Sequence, residues 1–584
     1  MWVAKLSNAY YKYFIIEWII YIPCLLYMFF PGTLYYVPFI PNQIEHISIS
    51  LGLILVMLIV ILIRNFSLKR ERIKLNQVDF WLACWFFYQL VSLYFTNSKI
   101  SFEVVNQQVF LGLLYVFIRN ININKHKYIL FLLLFVVILQ ILYSYNVQFY
   151  YFIPGKKISQ IHGTFFNVNL WGFYLSVTLI SLLGGRNCFK TTWLKCIIYI
   201  YICLLIPFII LSNSRSAWFS CFIGVLYVLF SEYGIPKFKN HQKWLVYIST
   251  SIFFFFLFSF LYYYKIDSTR GRLFIWKVSF NMIINNPIGG IGIDGFKRTY
   301  MLFQEHYFAK HPNSIYAFLA DNNYFAFNEY LKIVVEQGVI GLMLLGGVIY
   351  SLFQVKSKEV FTCTIKGIII SFLVFSLFSN PTSSFTIVSL IGCFVAMLSS
   401  RNTKSLQVNY KCFLGGTFVI SILGILYFVF LIVPFMRSYQ EWNKARSNCM
   451  YSSLKLIPNT IFIYHSDIGV VQGQILNNLQ EYSRASVLLE NINRNYPSYF
   501  SLLELGKSYK GLKKYHEAEV IWSRASKMVP LRFVPLYYLA KMHEERGETD
   551  KAKYYAKIIL EKKIKVMTPE LYRILREMTI LNNK

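Results

Sequence analysis

Thirteen apolar runs follow one another along the chain, near residues 14–30, 48–64, 80–96, 104–118, 128–145, 168–184, 196–212, 216–231, 244–264, 326–353, 363–379, 384–400 and 412–434. Most approach the roughly 20 residues a helix needs to cross a hydrocarbon core about 30 Å thick. Residues 1–434 therefore read as a polytopic α-helical membrane domain of about thirteen spans. The connecting segments alternate in charge. One set is short and basic: Lys69, Arg70, Arg72 and Lys74; Arg119, Lys125 and Lys127; Arg186, Lys190 and Lys195; Lys237, Lys239 and Lys243; Lys356 and Lys358; Arg401, Lys404 and Lys411. If every run crosses, all six fall on one side. The positive-inside rule makes that side cytoplasmic, together with the N-terminus, and an odd number of crossings exports everything after about residue 435. No small-residue cleavage site follows the first run, so it is expected to stay in the protein.

Residues 435–584 carry a different pattern. Gly473, Gly506 and Ala540 are 33 and 34 residues apart, Ala485, Ala518 and Ala552 repeat the same steps, and Tyr482 and Tyr515 match as well. Small residues at a period near 34 are the signature of tetratricopeptide hairpins. Three units fit, roughly 464–496, 497–530 and 531–565, with Pro530 between the second and third. The expected fold class is thus all-α, membrane helices followed by an α-solenoid. Such a tail offers a concave surface for a protein partner, or serves as a spacer or dimerisation platform.

Composition agrees with a membrane protein: 56% of the 584 residues are hydrophobic and only 15% are charged, against about a quarter in soluble domains. The net charge of +31 would suit nucleic acid, but its clustering between apolar runs assigns it to topology, so no nucleic-acid partner is expected. The ten cysteines show no CxxC or CxxH spacing. Neither a disulfide framework nor a metal site is expected, and no cofactor.

The other set of connections holds the chemistry. Residues 146–168 are polar, with Lys156, Lys157 and His162. Residues 265–325 form the longest loop, with seven Lys/Arg (Lys265, Arg270, Arg272, Lys277, Lys297, Arg298, Lys310) against four acids (Asp267, Asp294, Glu305, Asp321). Within it Arg272 to Asn285 has helical apolar spacing, with Leu273, Trp276, Phe280 and Ile283 on one side. That predicts a helix at the membrane interface, ended by Pro287 and the glycines after it.

Four segments on this face carry a resemblance. They are His162-Gly163-Thr164-Phe165 with Asn167 and Asn169; Ser212-Asn213-Ser214-Arg215-Ser216-Ala217; Arg272 and Trp276 with Pro287-Ile288-Gly289-Gly290-Ile291-Gly292 and Phe296; and Phe327-Asn328-Glu329-Tyr330-Leu331 with Glu336, Gly338 and Gly341. In this order and spacing, over residues 160–341, they resemble the O-antigen ligase superfamily, which includes bacterial protein O-oligosaccharyltransferases and O-antigen polymerases. The tail lies outside the matched region. The resemblance implies a metal-independent, inverting membrane glycosyltransferase. It would pass a glycan from a polyprenyl (undecaprenyl) diphosphate to an acceptor hydroxyl, in the bacterial inner membrane with the tail in the periplasm.

The residue types suit that chemistry. Negative charge builds on a departing lipid diphosphate, and guanidinium forks bind phosphate oxygens bidentately. Arg215 and Arg272 are the expected ligands, with Arg270 and Lys277 as helpers; each could instead anchor in lipid headgroups. Many relatives begin the last motif with histidine, where this chain has Phe327. Glu329 is then the preferred base, ahead of His306, His311 and Asp321, and a structural carboxylate is the alternative. His162, Asn167, Asn169, Ser214 and Asn328 are candidate substrate contacts, although the asparagines could simply cap helices. Glu336, within a span, reads as a buried support, and the Gly338 and Gly341 pair as a close helix-packing site.

Transfer onto a protein Ser or Thr is favoured because a peptide-binding repeat would sit on the acceptor side. Ligation to the lipid A core and glycan polymerisation share the donor chemistry. A flippase would distribute charge along a path through the spans. The metal-dependent glycosyltransferase class would need paired acids where residues 31–47 offer only Glu45.

Overall fold

A computed structural model describes residues 21–28, 43–67, 72–96, 102–121, 123, 126–144, 163–165, 167–186, 191–234, 263, 265–357, 359–402, 406–447 and 466–583. The apolar runs become helices: α1 (Gln43–Ser67), α2 (Gln77–Thr96), α3 (Phe102–Asn120), α4 (His126–Ser144), α5 (Val168–Gly185), α6 (Thr192–Leu211, with Pro207 inside it) and α7 (Arg215–Tyr233). The large loop folds into α8 (Ile266–Asn285) and α9 (Gly295–Lys310), and α10 (Glu329–Phe353), α11 (Val360–Ser376) and α12 (Phe385–Ser399) follow. The protein is an all-α membrane protein. Helix α5, α7, α10 and the stretch Phe418–Arg446 are long and apolar enough to cross a membrane, and shorter apolar helices such as Val360–Ser376 and Phe385–Ser399 stand beside them. The expected span at 244–264 lies outside the described residues, as does most of 14–30.

Helices α5, α7 and α11 form a tightly packed group. Their backbones approach where Gly224 and Gly367 face each other, each within 3.2 Å of the other's carbonyl oxygen if a Cβ were added. Close approach through small residues is the usual way membrane helices gain dispersion contacts.

The basic connections meet at one end of the helices. Strand β1 (Arg72–Leu75) pairs antiparallel with β2 (Leu406–Asn409), joining two loops more than 300 residues apart. Beside this ribbon the Asn76 amide donates to the Ser399 carbonyl at 2.8 Å, and Tyr115 donates to Asp79. Arg119 pairs with Asp79 at 2.7 Å, and Arg186 pairs with Glu232 at the same distance. These arginines sit at helix ends, and partnering with carboxylates is what makes their half-burial tolerable.

Helix α13 (Tyr410–Tyr427) continues through a π turn at Phe428–Ile432 into α14 (Val433–Ser447). The expected domain boundary at 434/435 falls inside this continuous helix. Phe435, Tyr439 and Trp442 already belong to the core of the tail, and Trp442 donates to Gln472 at 3.0 Å.

The tail comprises α15 (Ser466–Asn478), α16 (Tyr482–Asn495), α17 (Tyr499–Gly511), α18 (Tyr515–Met528), α19 (Val534–Glu545), α20 (Thr549–Glu561) and α21 (Pro569–Asn583). Each packs on the next. The small residues of the repeat lie at these contacts: Gly473 against Leu489, Gly506 against Trp522, and Ala485, Ala518, Ala540 and Ala552 fully buried. A second periodicity is in the backbone. Gln480, Lys513 and Gly547 all take a left-handed φ (61°, 61° and 73°) at the turn inside each hairpin. In each, the next N–H reaches back to close the preceding helix, from Glu481, Lys514 and Glu548 to Leu476, Tyr509 and His543 respectively.

Candidate active site

Helix α12 begins at the opposite end from the ribbon, and there the motif segments converge. The turn Ser212–Ser214 between α6 and α7 is held by local bonds. Asn213 is left-handed (φ 51°) and Ser214 caps α7, accepting from the Ala217 N–H at 3.3 Å. This places Arg215 on the first turn of α7, where its Nη1 donates to Thr269 Oγ1 at 3.0 Å. Lys265, at the start of α8, donates to the Asn213 carbonyl at 3.0 Å. Two turns along α8, Arg272 Nη1 donates to the Phe378 carbonyl at 2.5 Å, and its guanidinium lies 5.3 Å from the centre of the Phe327 ring.

Three cations thus share one half-buried place. Burial first, then the Arg215 charge, pushes Arg272 down to about 10. Burial, Arg215 and Arg272 likewise lower Lys265. Holding like charges together away from water costs free energy, and a bound polyanion would offset that cost.

Phe327 precedes α10 with φ 51°, an outlier conformation for a bulky side chain. Asn328 caps α10, accepting from the Leu331 N–H at 2.9 Å. Glu329 is buried, and its Oε1 accepts from the Thr382 N–H at 3.1 Å and hydroxyl at 2.6 Å. The Lys332 ammonium donates to the same hydroxyl at 3.3 Å.

The glycine motif has a backbone task. Helix α10 breaks at Gly338 (φ 64°, ψ −165°). Residues 287–292 fill the break: Ile291 and Gly292 N–H groups donate to the Val335 and Glu336 carbonyls, and Val339 N–H donates to the Pro287 carbonyl, at 2.9–3.0 Å. A Cβ on Gly338 would stand 1.9 Å from the Ile288 oxygen, and one on Gly290 would stand 2.4 Å from the Glu336 carbonyl carbon. Gly338 is therefore not the helix-packing residue expected from sequence; it lets an irregular segment satisfy a broken membrane helix. Glu336 is buried and accepts from the Phe296 N–H at 3.3 Å, which fits a support.

Other expected site residues are placed apart from the cations' contacts. Asn167 caps α5 and accepts from Asn169 N–H at 2.8 Å. Lys277 lies over the Tyr307 and Tyr316 rings, and His311 is exposed at the end of α9, its ring 4.9 Å from Tyr307. Arg270 is exposed. Asp321 accepts from Arg532 of the tail at 2.9 and 3.1 Å. His162 lies outside the described residues. On α8, Leu273 and Phe280 are exposed, whereas Trp276 turns inward and donates to the Ala326 carbonyl at 3.0 Å.

The sequence reading missed Lys265 as anything but loop charge, and passed over Thr382, Lys332 and the Phe378 carbonyl. The polar stretch Ser379-Asn380-Pro381-Thr382 between two apolar runs was the available signal. Among the described residues no cluster of three or more His, Cys, Asp or Glu is arranged as a metal site.

Residues 200–346 match the family model of the O-antigen ligases. The chain carries an O-antigen ligase domain. The match spans Arg215, Arg272, the glycine motif and Glu329, while the His162–Asn169 segment precedes it. At the level of the family, this is a membrane enzyme of glycan transfer, working on a lipid-linked glycan donor and an acceptor. No curated protein matches the chain.

Proposed function

We propose that the ligase domain transfers a glycan en bloc from a polyprenyl diphosphate to a Ser or Thr hydroxyl of a protein, on the periplasmic face of a bacterial inner membrane. The observation that carries the donor half is the shared cationic place of Arg215, Lys265 and Arg272. Their charges repel one another without a ligand and complement the two phosphates of such a donor.

In the reaction the acceptor oxygen attacks the anomeric carbon from the face opposite the diphosphate. The bond from that carbon to the diphosphate oxygen breaks, and its electron pair stays on the leaving lipid diphosphate. Guanidinium groups fixed beforehand stabilise the growing charge without reorganising. The hydroxyl proton passes to Glu329, whose carboxylate Thr382 holds in place. Inversion at carbon follows from the single displacement.

The acceptor half rests on the helical repeats, read as tetratricopeptide hairpins, that stand beside the ligase domain. Comparative mass spectrometry of periplasmic and outer-membrane proteins, with and without this chain, tests it. One glycan mass should disappear from many Ser/Thr sites. An unchanged protein glycan pattern, with glycan lost from the lipid A core instead, would replace the protein acceptor by lipid.

A further inference from the structure

The segment that delivers Phe327 and Glu329, residues 319–328, has no regular secondary structure. Bonds between Asn323 and Phe325 and one from Trp276 to the Ala326 carbonyl hold its second half, and contacts with the tail hold its first. At its start, the buried Gln304 amide donates both to the Asp321 carbonyl at 3.1 Å and to the Met528 carbonyl of α18 at 2.7 Å. One residue on, Asn322 Oδ1 accepts from the Tyr499 N–H at 3.0 Å, and Asp321 binds Arg532. On the adjoining helix, Glu305 takes a two-point contact from Arg524, at 2.9 and 3.1 Å.

A second arm reaches the glycine motif. Asp294, two residues after it, is buried and accepts from the Tyr496 hydroxyl at 2.8 Å. Lys297 pairs with Asp467 at 3.3 Å. One continuous apolar core contains Phe274, Val278 and Met282 of α8 together with Tyr499, Leu502 and Met528 of the tail. That core includes the helix on which Arg272 sits.

We infer that the tail, besides any recruiting of acceptors, is a structural part of the catalytic site. Through Gln304 and Asn322 it holds the segment that bears Phe327 and leads into Glu329, and through Asp294 the glycine motif, so donor cleavage depends on it even when no acceptor is present. These are positioning residues. The inference rests on the proposed donor chemistry and adds a dependence that acceptor recruitment alone does not require.

The test uses the full chain, purified with a lipid-linked glycan donor, and reads donor hydrolysis by water with no acceptor added. Glu305→Arg and Arg524→Glu each set like charges against each other at the interface. Each should lower kcat for hydrolysis about 10- to 100-fold, as misplacement of reacting groups does. Combining the two reverses the pair and should restore most of the rate. Gln304→Met keeps the volume, removes both N–H donors and should lower kcat in the same way.

Lys510→Glu breaks an exposed ion pair with Glu545 inside the tail, at 2.7 Å, and should leave hydrolysis at the native rate. Melting temperatures of all variants identify any that fail to fold, and the charge-reversed pair then carries the test. Native hydrolysis rates in Glu305→Arg, Arg524→Glu and Gln304→Met would overturn the inference. So would a folded double variant that recovers nothing. Arg272→Lys, run alongside, separates the two ideas: if it hydrolyses donor normally, the donor chemistry itself is misassigned.

Discussion

Replacing Arg272 with lysine tests the donor site at the point where the structure makes a quantitative claim. One of the five guanidinium N–H groups is committed to the Phe378 carbonyl, leaving a planar fork for phosphate. An ammonium carries its donors on a single nitrogen and cannot hold that carbonyl while spanning two phosphate oxygens in a plane. Losing a contact of this kind in the transition state costs on the order of 10²–10³ in rate. The environment adds a second effect. Burial and the Arg215 charge bring the guanidinium down from its ordinary value to about 10, so the native residue stays charged through neutral and mildly basic pH. A lysine there meets the same burial and the same Arg215 charge, which lower it as well, and its ammonium is the less basic group to begin with. The lysine variant should therefore be weakly active when protonated, and lose its residual activity on the alkaline side at a lower pH than the native enzyme. Transfer of a labelled lipid-linked glycan by purified enzyme, measured from neutral to alkaline pH, reads both effects. A variant within about fivefold of native at pH ~7, with a native-shaped profile, would mean that Arg272 is only an interfacial anchor.

Gly338→Ala should abolish folded protein in the membrane, because its Cβ would fall 1.9 Å from the Ile288 oxygen on a left-handed backbone that itself costs roughly 1–3 kcal/mol; normal detergent-extracted yield and melting temperature would refute this. Glu329→Gln keeps an acceptor for Thr382 but cannot take a proton, so transfer should fall about 10²–10⁴-fold with folding intact; near-native transfer would make Glu329 a purely structural carboxylate. Phe327→His should fold and remain active, since histidine tolerates a positive φ better than phenylalanine; loss of melting temperature would show that the ring contact with Arg272 matters more than the backbone. A reporter enzyme active only outside the cytoplasm, fused after residue 440, should be active, and an inactive fusion would reverse the assigned topology.

What could be read from the chain follows the range of the interactions. Helix positions were legible because burial in lipid demands long apolar runs, and the repeat in small residues was legible because Gly473 and Gly506 each leave room for the facing helix, at Leu489 and Trp522. Arg215 and Arg272 stood out through their motifs, and the charge of one bears on the other in the folded chain. Two things were not legible. The glycines of 287–292 and Gly338 had separate local readings, and only the folded chain shows one filling the break in the other. The docking of the tail joins Gln304 to Met528 and Asp294 to Tyr496, pairs about 200 residues apart, and no periodicity or spacing encodes such partners. Lys265 was visible as a charge, but its approach to Asn213 depends on where α8 starts relative to the α6–α7 turn.

Phe327 draws these strands together. The resemblance expects histidine there, and a histidine could serve as base, as donor to a phosphate, or as a partner for a neighbouring side chain. In this chain the position keeps only the last of those uses. The ring lies against the Arg272 guanidinium, a contact worth about 0.5–2 kcal/mol depending on how dry the surroundings are, and it accepts a strained backbone to do so. A residue that kept its place in the motif while losing proton chemistry points to arginine positioning as a requirement of the site, with proton transfer moved to another group. Glu329, two residues along the same segment, is the nearest carboxylate in sequence, and Thr382 already orients it. The same segment is the one the tail grips through Gln304 and Asn322. Arg272, the proposed base Glu329 and the tail thus meet at ten residues of otherwise irregular chain, so on the proposed mechanism a disturbance at the tail interface should reach the chemistry before it disturbs the membrane helices.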